Sequence, residues 1–193
     1  MSILTVKTVR GLWPNAIIIL YIILCIAHSG HAQSLTGLEY EVKAGFIYNF
    51  AKFVGWPEEA GNNDTSPLIL GIVPDHPKSD VFYSLNGKSV GERKIEVKKF
   101  KTIKDKGVEE CHILFFDSKN QKFIKESLLA VRKRSVLTVG HMDEFTQEGG
   151  IINFFNEEGR LRFEVNLDAA KSVGLKLGSQ LLMSAEIIKE KLR

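Results

Sequence analysis

Cysteine is nearly absent. The 193-residue chain holds two, Cys25 and Cys111, too few and too far apart for a disulfide framework or a C-x-x-C metal or redox motif. Histidine is also sparse. Past the first stretch only His76, His112 and His141 remain, none at H-x-x-x-H spacing, so no metal site is supported. Neither G-x-G-x-x-G nor the P-loop pattern occurs. Gly149-Gly150 leads into an apolar run and reads as a tight turn or bulge. No large excess of one charge is present either: 26 Lys+Arg stand against 23 Asp+Glu, a net charge of +3. That balance gives no global attraction to nucleic acid. Internal repeats and low-complexity tracts are missing, and the length suits one domain plus a targeting segment.

No acidic residue precedes Gln33. Lys7 and Arg10 lead instead into the apolar run Ala16–Ala27, followed by Gly30-His31-Ala32. A basic start, an apolar stretch and small residues before Gln33 are the parts of a secretory signal peptide. The run is shorter than the roughly 20 residues a spanning helix needs. The expectation is a signal peptide over 1–32, cleavage before Gln33, and a mature domain over 33–193 lying beyond the inner membrane without spanning it. Two basic residues leave with that segment, so the mature net charge falls to +1 (24 basic, 23 acidic). Cys111 is then the single thiol, and an internal disulfide is impossible.

The chain is organised around Gly149–Leu182. Ile151–Phe155 reads as a buried strand, and Asn156-Glu157-Glu158-Gly159 as a polar turn with glycine at a left-handed position. Arg160–Leu167 alternates: Leu161, Phe163, Val165 and Leu167 point one way, Arg160, Arg162, Glu164 and Asn166 the other. Asn166 can cap the helix that follows, and Gly174 stops it. Ser179 can cap a last helix with Leu181, Leu182, Ala185, Ile188 and Leu192 as its apolar stripe.

Upstream, the capping-box spacing Thr36–Glu39 predicts a helix to about Val54. Its broad apolar face would be Leu38, Val42, Phe46, Phe50, Phe53 and Val54, with Glu41, Gly45, Tyr48 and Lys52 opposite, and Gly55 and Pro57 ending it. A polar loop over 58–67 precedes a buried strand, Leu68–Val73. His76-Pro77 starts a short helix carrying Val81, Phe82 and Leu85. Lys94–Phe100 alternates as a strand near an edge, and Lys101–Lys106 is a solvated connector. Cys111–Phe116 is apolar enough for a central strand. A second capping-box spacing at Ser118–Gln121 opens a helix facing inward through Phe123, Ile124, Leu128 and Val131, before a strand at Val136–Val139. Strands alternating with helices, then a hairpin, predict an α/β fold: a single-domain sandwich with a mixed sheet flanked by helices and a C-terminal β-hairpin followed by helices.

Catalytic apparatus is not recognisable. Cys111 and His112 are neighbours on a strand and point to opposite faces, which separates a Cys–His pair. Two surfaces stand out as candidates for a partner or ligand. One is the polar face of the hairpin strand, Arg160, Arg162, Glu164 and Asn166, read either as a solvated ladder or as a rigid platform. The other is Tyr48, Lys52 and Trp56, off the apolar face or at the end of the first helix. The reading is a binding protein rather than an enzyme, with no cofactor. The alternatives are a small-ligand sensor module reporting to a membrane kinase or cyclase, and a periplasmic enzyme centred on Cys111.

The glycine pair, Ile152-Asn153-Phe154, Arg162-Phe163-Glu164-Val165-Asn166-Leu167-Asp168-Ala169-Ala170 and Gly174-Leu175-Lys176-Leu177 resemble the C-terminal signature of the YfiR family of bacterial periplasmic regulators. Lys43–Phe53 with Gly55-Trp56-Pro57, Cys111–Phe116 and Leu137–Gly140 fit that pattern in order, over about 39–184. The resemblance implies a periplasmic, dimer-forming repressor. Such a protein binds the sensory domain of an inner-membrane diguanylate cyclase and controls cyclic di-GMP signalling and biofilm formation. Family members often carry cysteine pairs, and this chain does not, so redox switching by an internal disulfide is not carried over.

Overall fold

A computed structural model describes residues 31–57 and 66–188, with side chains from residue 37 onward. The apolar leader with Cys25, residues 58–65 of the expected polar loop and Leu192 lie outside the described residues. The chain divides at Leu38/Glu39, and the unit from Glu39 carries the sheet and its helices.

Helix α1 spans His31–Phe53. It is already helical at Thr36, so the capping-box spacing there does not open it. Its buried stripe is Tyr40, Ala44, Ile47, Phe50 and Ala51, joined by Lys43 at 1 % exposure. Leu38 and Val42, assigned to the apolar face from sequence, are 57 % and 40 % exposed. The stripe keeps the 3.6-residue period but is rotated to place Tyr40 and Lys43 inward. A hydropathy count rejects both residues, yet each has polar partners within the fold to satisfy it.

After β1 (Val54–Gly55) come β2 (Leu68–Val73), a 3₁₀ helix (Pro77–Leu85), β3 (Ser89–Val90) and β4 (Arg93–Lys99). Next are β5 (Ile113–Phe116), α2 (Gln121–Val131), β6 (Leu137–Gly140), β7 (Ile152–Glu157) and β8 (Arg160–Asn166). The chain closes with α3 (Leu167–Ser172), β9 (Lys176–Leu177), α4 (Ser179–Met183) and β10 (Glu186–Ile188). The eight-stranded sheet runs β10-β8-β7-β6-β5-β2-β4-β3, while β1 and β9 pair separately. Strands β7, β6, β5, β2 and β4 are mutually parallel, β8 is antiparallel to β7 and β3 to β4, and β10 runs parallel to β8. The sheet is therefore mixed, as the alternating pattern implied.

Continuous apolar runs make the central strands because both faces are covered. Leu68, Leu70, Ile72, Ile113 and Phe115 pack on the α1 side. Ile69, Val73, Leu114 and Phe116 pack against Ile124, Leu128 and Val131 of α2 on the other. On the α1 side the rings of Phe46 and Phe50 meet Phe154 and Phe163, the closest pair being Phe50–Phe163 at 4.9 Å between centroids.

The hairpin turns tightly. Glu158 and Gly159 both have positive φ, 51° and 78°, the two-residue geometry whose twist matches the flanking strands. The last predicted helix is the main correction. α4 has five residues, its cap is Gly178 rather than Ser179, and Ile188 lies in β10, parallel to β8 in the register Ile187↔Val165. An open β8 edge offers unpaired backbone groups, and β-branched Ile187 and Ile188 favour pairing with it over another helical turn. α2 also starts later than its spacing suggested. Its cap is Asn120, whose Oδ1 accepts from Phe123 N at 3.0 Å, and Ser118 Oγ accepts from Asn120 N.

Candidate functional site

Parallel strands place the carboxyl ends of β2, β5 and β6 at one edge of the sheet. β4 lies on one side of β2 and β5 on the other, so the chain reverses its direction of travel between β2 and β5. In open α/β sheets that reversal leaves a crevice at the carboxyl ends. Here Asp117, directly after β5, donates its backbone N–H to Val73 O at 2.8 Å. Tyr40 of α1 reaches over and donates its hydroxyl to Asp117 Oδ1 at 2.6 Å.

His141, directly after β6, completes a buried ionic cluster. Its Nε2 lies 3.4 Å from Asp117 Oδ1. Lys43 Nζ lies 2.9 Å from His141 Nδ1 and 2.7 Å from Glu39 Oε1, and sits 4.9 Å over the Tyr40 ring. An ammonium only donates, so Nδ1 is the bare nitrogen and the ring proton is on Nε2, facing Asp117. Burial first, then the Lys43 and Lys119 charges, lowers the His141 pKa to about 4. Burial and Asp117 raise that of Tyr40. The hydrogen bond from Lys43 lowers that of Glu39. Asp117 Oδ2 and His141 Nε2 are buried without a hydrogen-bond partner. A shallow cleft of about 240 Å³ opens beside His141, which lines it with Lys119, Gln121, Met142, Asp143 and Glu144.

The cluster has donors, acceptors and charge but no activated nucleophile. Cys111 precedes β5, at the opposite end of that strand. It is buried, and desolvation pushes its thiol up to about 12, the environment of an inert cysteine. Its side chain joins the α2-side core. His112 turns instead toward Arg93, with Nη2 2.7 Å from Nε2, and toward Trp56. The two side chains diverge, but not in the phase of β5: both residues precede that strand, and Cys111 shares the α2-side core with Leu114 and Phe116 instead of the α1 side with Ile113 and Phe115.

A family model described as YfiR/HmsC-like matches residues 40–186. The chain belongs to the YfiR/HmsC-like family. This is a family of periplasmic regulators rather than enzymes. No curated protein matches the chain. The YfiR/HmsC-like region begins at Tyr40, takes in Tyr40, Lys43, Asp117 and His141 and the hairpin, and ends at the first residue of β10.

Within this YfiR/HmsC-like domain the residues singled out from sequence do not form one surface. Arg160 and Arg162 are exposed on the hairpin, and Arg162 pairs with Glu157 across the strands. Glu164 and Asn166, on the same face of β8, are held by the loop between β6 and β7. Glu164 Oε1 accepts from Thr146 Oγ1 at 2.7 Å and from Asn153 Nδ2 at 3.2 Å. Asn166 is 4 % exposed, gives Nδ2–H to Thr146 O at 2.9 Å, and caps α3 by accepting from Ala169 N at 2.8 Å. Tyr48 lies at the other side of the sheet, donating to Ser89 O at 3.0 Å, with Lys52 and Lys88 each 5.4 Å from its ring. Trp56 donates Nε1–H to His112 O at 3.2 Å. The solvent-facing ladder thus covers only the first half of β8.

Sequence reasoning missed Tyr40, Lys43, Asp117 and His141. A usable indication was present. Asp117 directly follows the apolar run read as a central strand and His141 lies just beyond the next predicted strand, the position where α/β folds collect functional groups.

Proposed function

We propose that this chain is a periplasmic repressor that holds the sensory domain of an inner-membrane diguanylate cyclase inactive by direct contact, and so restrains cyclic di-GMP signalling and biofilm formation. The observation that carries this reading is the YfiR/HmsC-like match across residues 40–186. In the same reading the leader over 1–32 is removed before Gln33, the mature chain works in the periplasm, and it forms a homodimer. Arg160 and Arg162 are the contact residues we favour. The two-residue turn holds them on a rigid, solvent-facing arm, which lowers the ordering cost of binding, and Arg is favoured at interface anchors. Tyr48, Lys52 and Trp56 are the second choice.

The test is binding of the purified chain to the periplasmic domain of a diguanylate cyclase from the same genome, with cellular cyclic di-GMP measured alongside. Arg160→Ala/Arg162→Ala is expected to weaken binding at least tenfold with an unchanged melting temperature, and to raise cyclic di-GMP as gene deletion does. Full binding by that variant moves the contact to the Tyr48 side. No binding by the wild type to any such domain overturns the reading.

One observation favours a second reading, a small-ligand sensor. Asp117 Oδ2 is buried without a hydrogen-bond partner, and its neighbour His141 lines a polar cleft. A thermal shift by one member of a metabolite panel, lost in Asp117→Asn, would support it.

A further inference from the structure

We propose that His141 is a proton-operated latch: it ties the Glu39–Ala44 turns of α1 over the crevice between β2 and β5, and its protonation releases those turns about Gly45. The inference concerns the folded chain itself and does not rest on the partner proposed above.

The two parts of α1 differ in how far polar bonds hold them. From Ile47 onward the helix is anchored by apolar contact: Ile47, Phe50 and Ala51 are buried, and Phe46 and Phe50 stack into the cluster with Phe154 and Phe163. Such contacts do not respond to protons. Before Gly45 the apolar side chain of Val42 faces outward, and the inward groups are Tyr40, Lys43 and Ala44. Tyr40 and Ala44 also touch the core, the Tyr40 ring meeting Phe82, and to these contacts the turns add polar bonds, Tyr40 to Asp117 and Lys43 to His141. Gly45 separates the two parts. It is exposed, with nothing beyond its own helix backbone and chain neighbours within 4 Å of where its Cβ would be, and glycine is the weakest helix former apart from proline.

Protonation breaks the tie directly. Nε2 already carries the ring proton, so a second can bind only at Nδ1, which is the acceptor for Lys43. The result would set two donors of like charge 2.9 Å apart, in a place where Lys43 is 1 % exposed. The groups facing His141 do not reverse this. From α1 come Lys43, Glu39 and Tyr40. After β5 come Asp117 and Lys119, and Phe115 packs its ring 5.7 Å away. Asp143 and Glu144 line the cleft beside it. Asp117, the nearest anion, already binds the Tyr40 hydroxyl and stands 3.4 Å from Nε2. Glu39 is occupied by Lys43.

Latched, His141 binds its proton near pH 4. Released, it binds near the ordinary value of about 6.5. Each pH unit between the two therefore favours release by up to about tenfold.

Hydrogen exchange on the full chain tests this, corrected for the intrinsic pH dependence of exchange. Between pH 7.5 and 5.0 the opening of amides 40–45 should rise by about 30-fold, from the roughly 1.5 units crossed below 6.5. Amides 47–53 and those of β5 should hold their protection. His141→Gln, which can accept from Lys43 and does not titrate, should remove the pH dependence, and His112→Gln should keep it. The proposal is overturned if opening does not rise, if it rises equally through the chain, or if it persists in His141→Gln. Should that variant fail to fold, the histidine NMR titration of the wild type decides. A release midpoint that tracks the His141 resonance supports the latch, and one that tracks another histidine overturns it.

Discussion

Gly150 yields its side of the chain to Phe145: a Cβ on Gly150 would stand 2.1 Å from Phe145 Cε1. Gly140, at the end of β6, does the same, with a Cβ there 2.4 Å from Phe145 Cδ2. The fully buried Phe145 ring thereby pins the loop between β6 and β7 to the sheet. That loop supplies Thr146, which engages both Glu164 and Asn166. Gly150→Ala should therefore cost about 1–3 kcal/mol through overpacking. Chemical denaturation measures it, and an unchanged midpoint would show that the ring can move aside.

The two faces of β8 should respond differently to truncation. Phe163 is 3 % exposed and packs on Phe46 and Phe50, so Phe163→Ala should cost about 3–5 kcal/mol. Arg162→Ala removes only an exposed pair with Glu157 and should change stability by about 0.5 kcal/mol or less. Melts of the two variants under one buffer compare them directly.

Glu164 and Asn166 should behave unlike Arg162 although they share its face. Removing Glu164 takes the acceptor from the Asn153 amide and leaves the Thr146 hydroxyl only Gln147 Oε1 at 3.2 Å, a loss of roughly 1–3 kcal/mol. Asn166→Ala removes the α3 cap and the bond to Thr146 O, for about 1–2 kcal/mol. If either variant melts like Arg162→Ala, the loop does not hold that face.

Acid should destabilise the fold. Burial first, then Arg93, lowers the His112 pKa to about 4, as burial and Lys43 do for His141. The unfolded imidazoles take up protons from about pH 6.5 downward, while the folded ones stay neutral until near 4. The unfolded state therefore holds more protons in that window, and stability falls as pH drops through it, by at most about 3 kcal/mol per histidine. Glu39, held low by Lys43, acts in the same direction at lower pH. Urea midpoints measured between pH 7 and 4 should decline. A flat profile would mean that both rings are hydrated.

Cys111 should be inert. It is 5 % exposed, with a thiol pushed up to about 12, so iodoacetamide at pH 8 should label it only after denaturant is added, as intact mass will show. Reductant should leave the melting temperature unchanged.

Local chemistry was enough to read much of this protein from its sequence. Strict alternation marks β8, unbroken apolar runs mark β2 and β5, and Asn166 and Gly174 bracket α3, because each of these depends on a residue's own conformational preference or on neighbours close in sequence. The separation of Cys111 from His112 is real but does not come from alternation, since both precede β5 and Cys111 packs on the side of Leu114. Tertiary structure decided the rest. β10 is a strand because β8, 22 residues earlier in register, leaves an edge to be paired. Glu164 and Asn166 turn inward because Phe145 draws the Thr146 loop over them. Lys43 is buried because His141, 98 residues away, supplies an acceptor that no local pattern can announce. Burial of a charged or polar group is settled by its partner, and the partner is fixed only when the chain has folded.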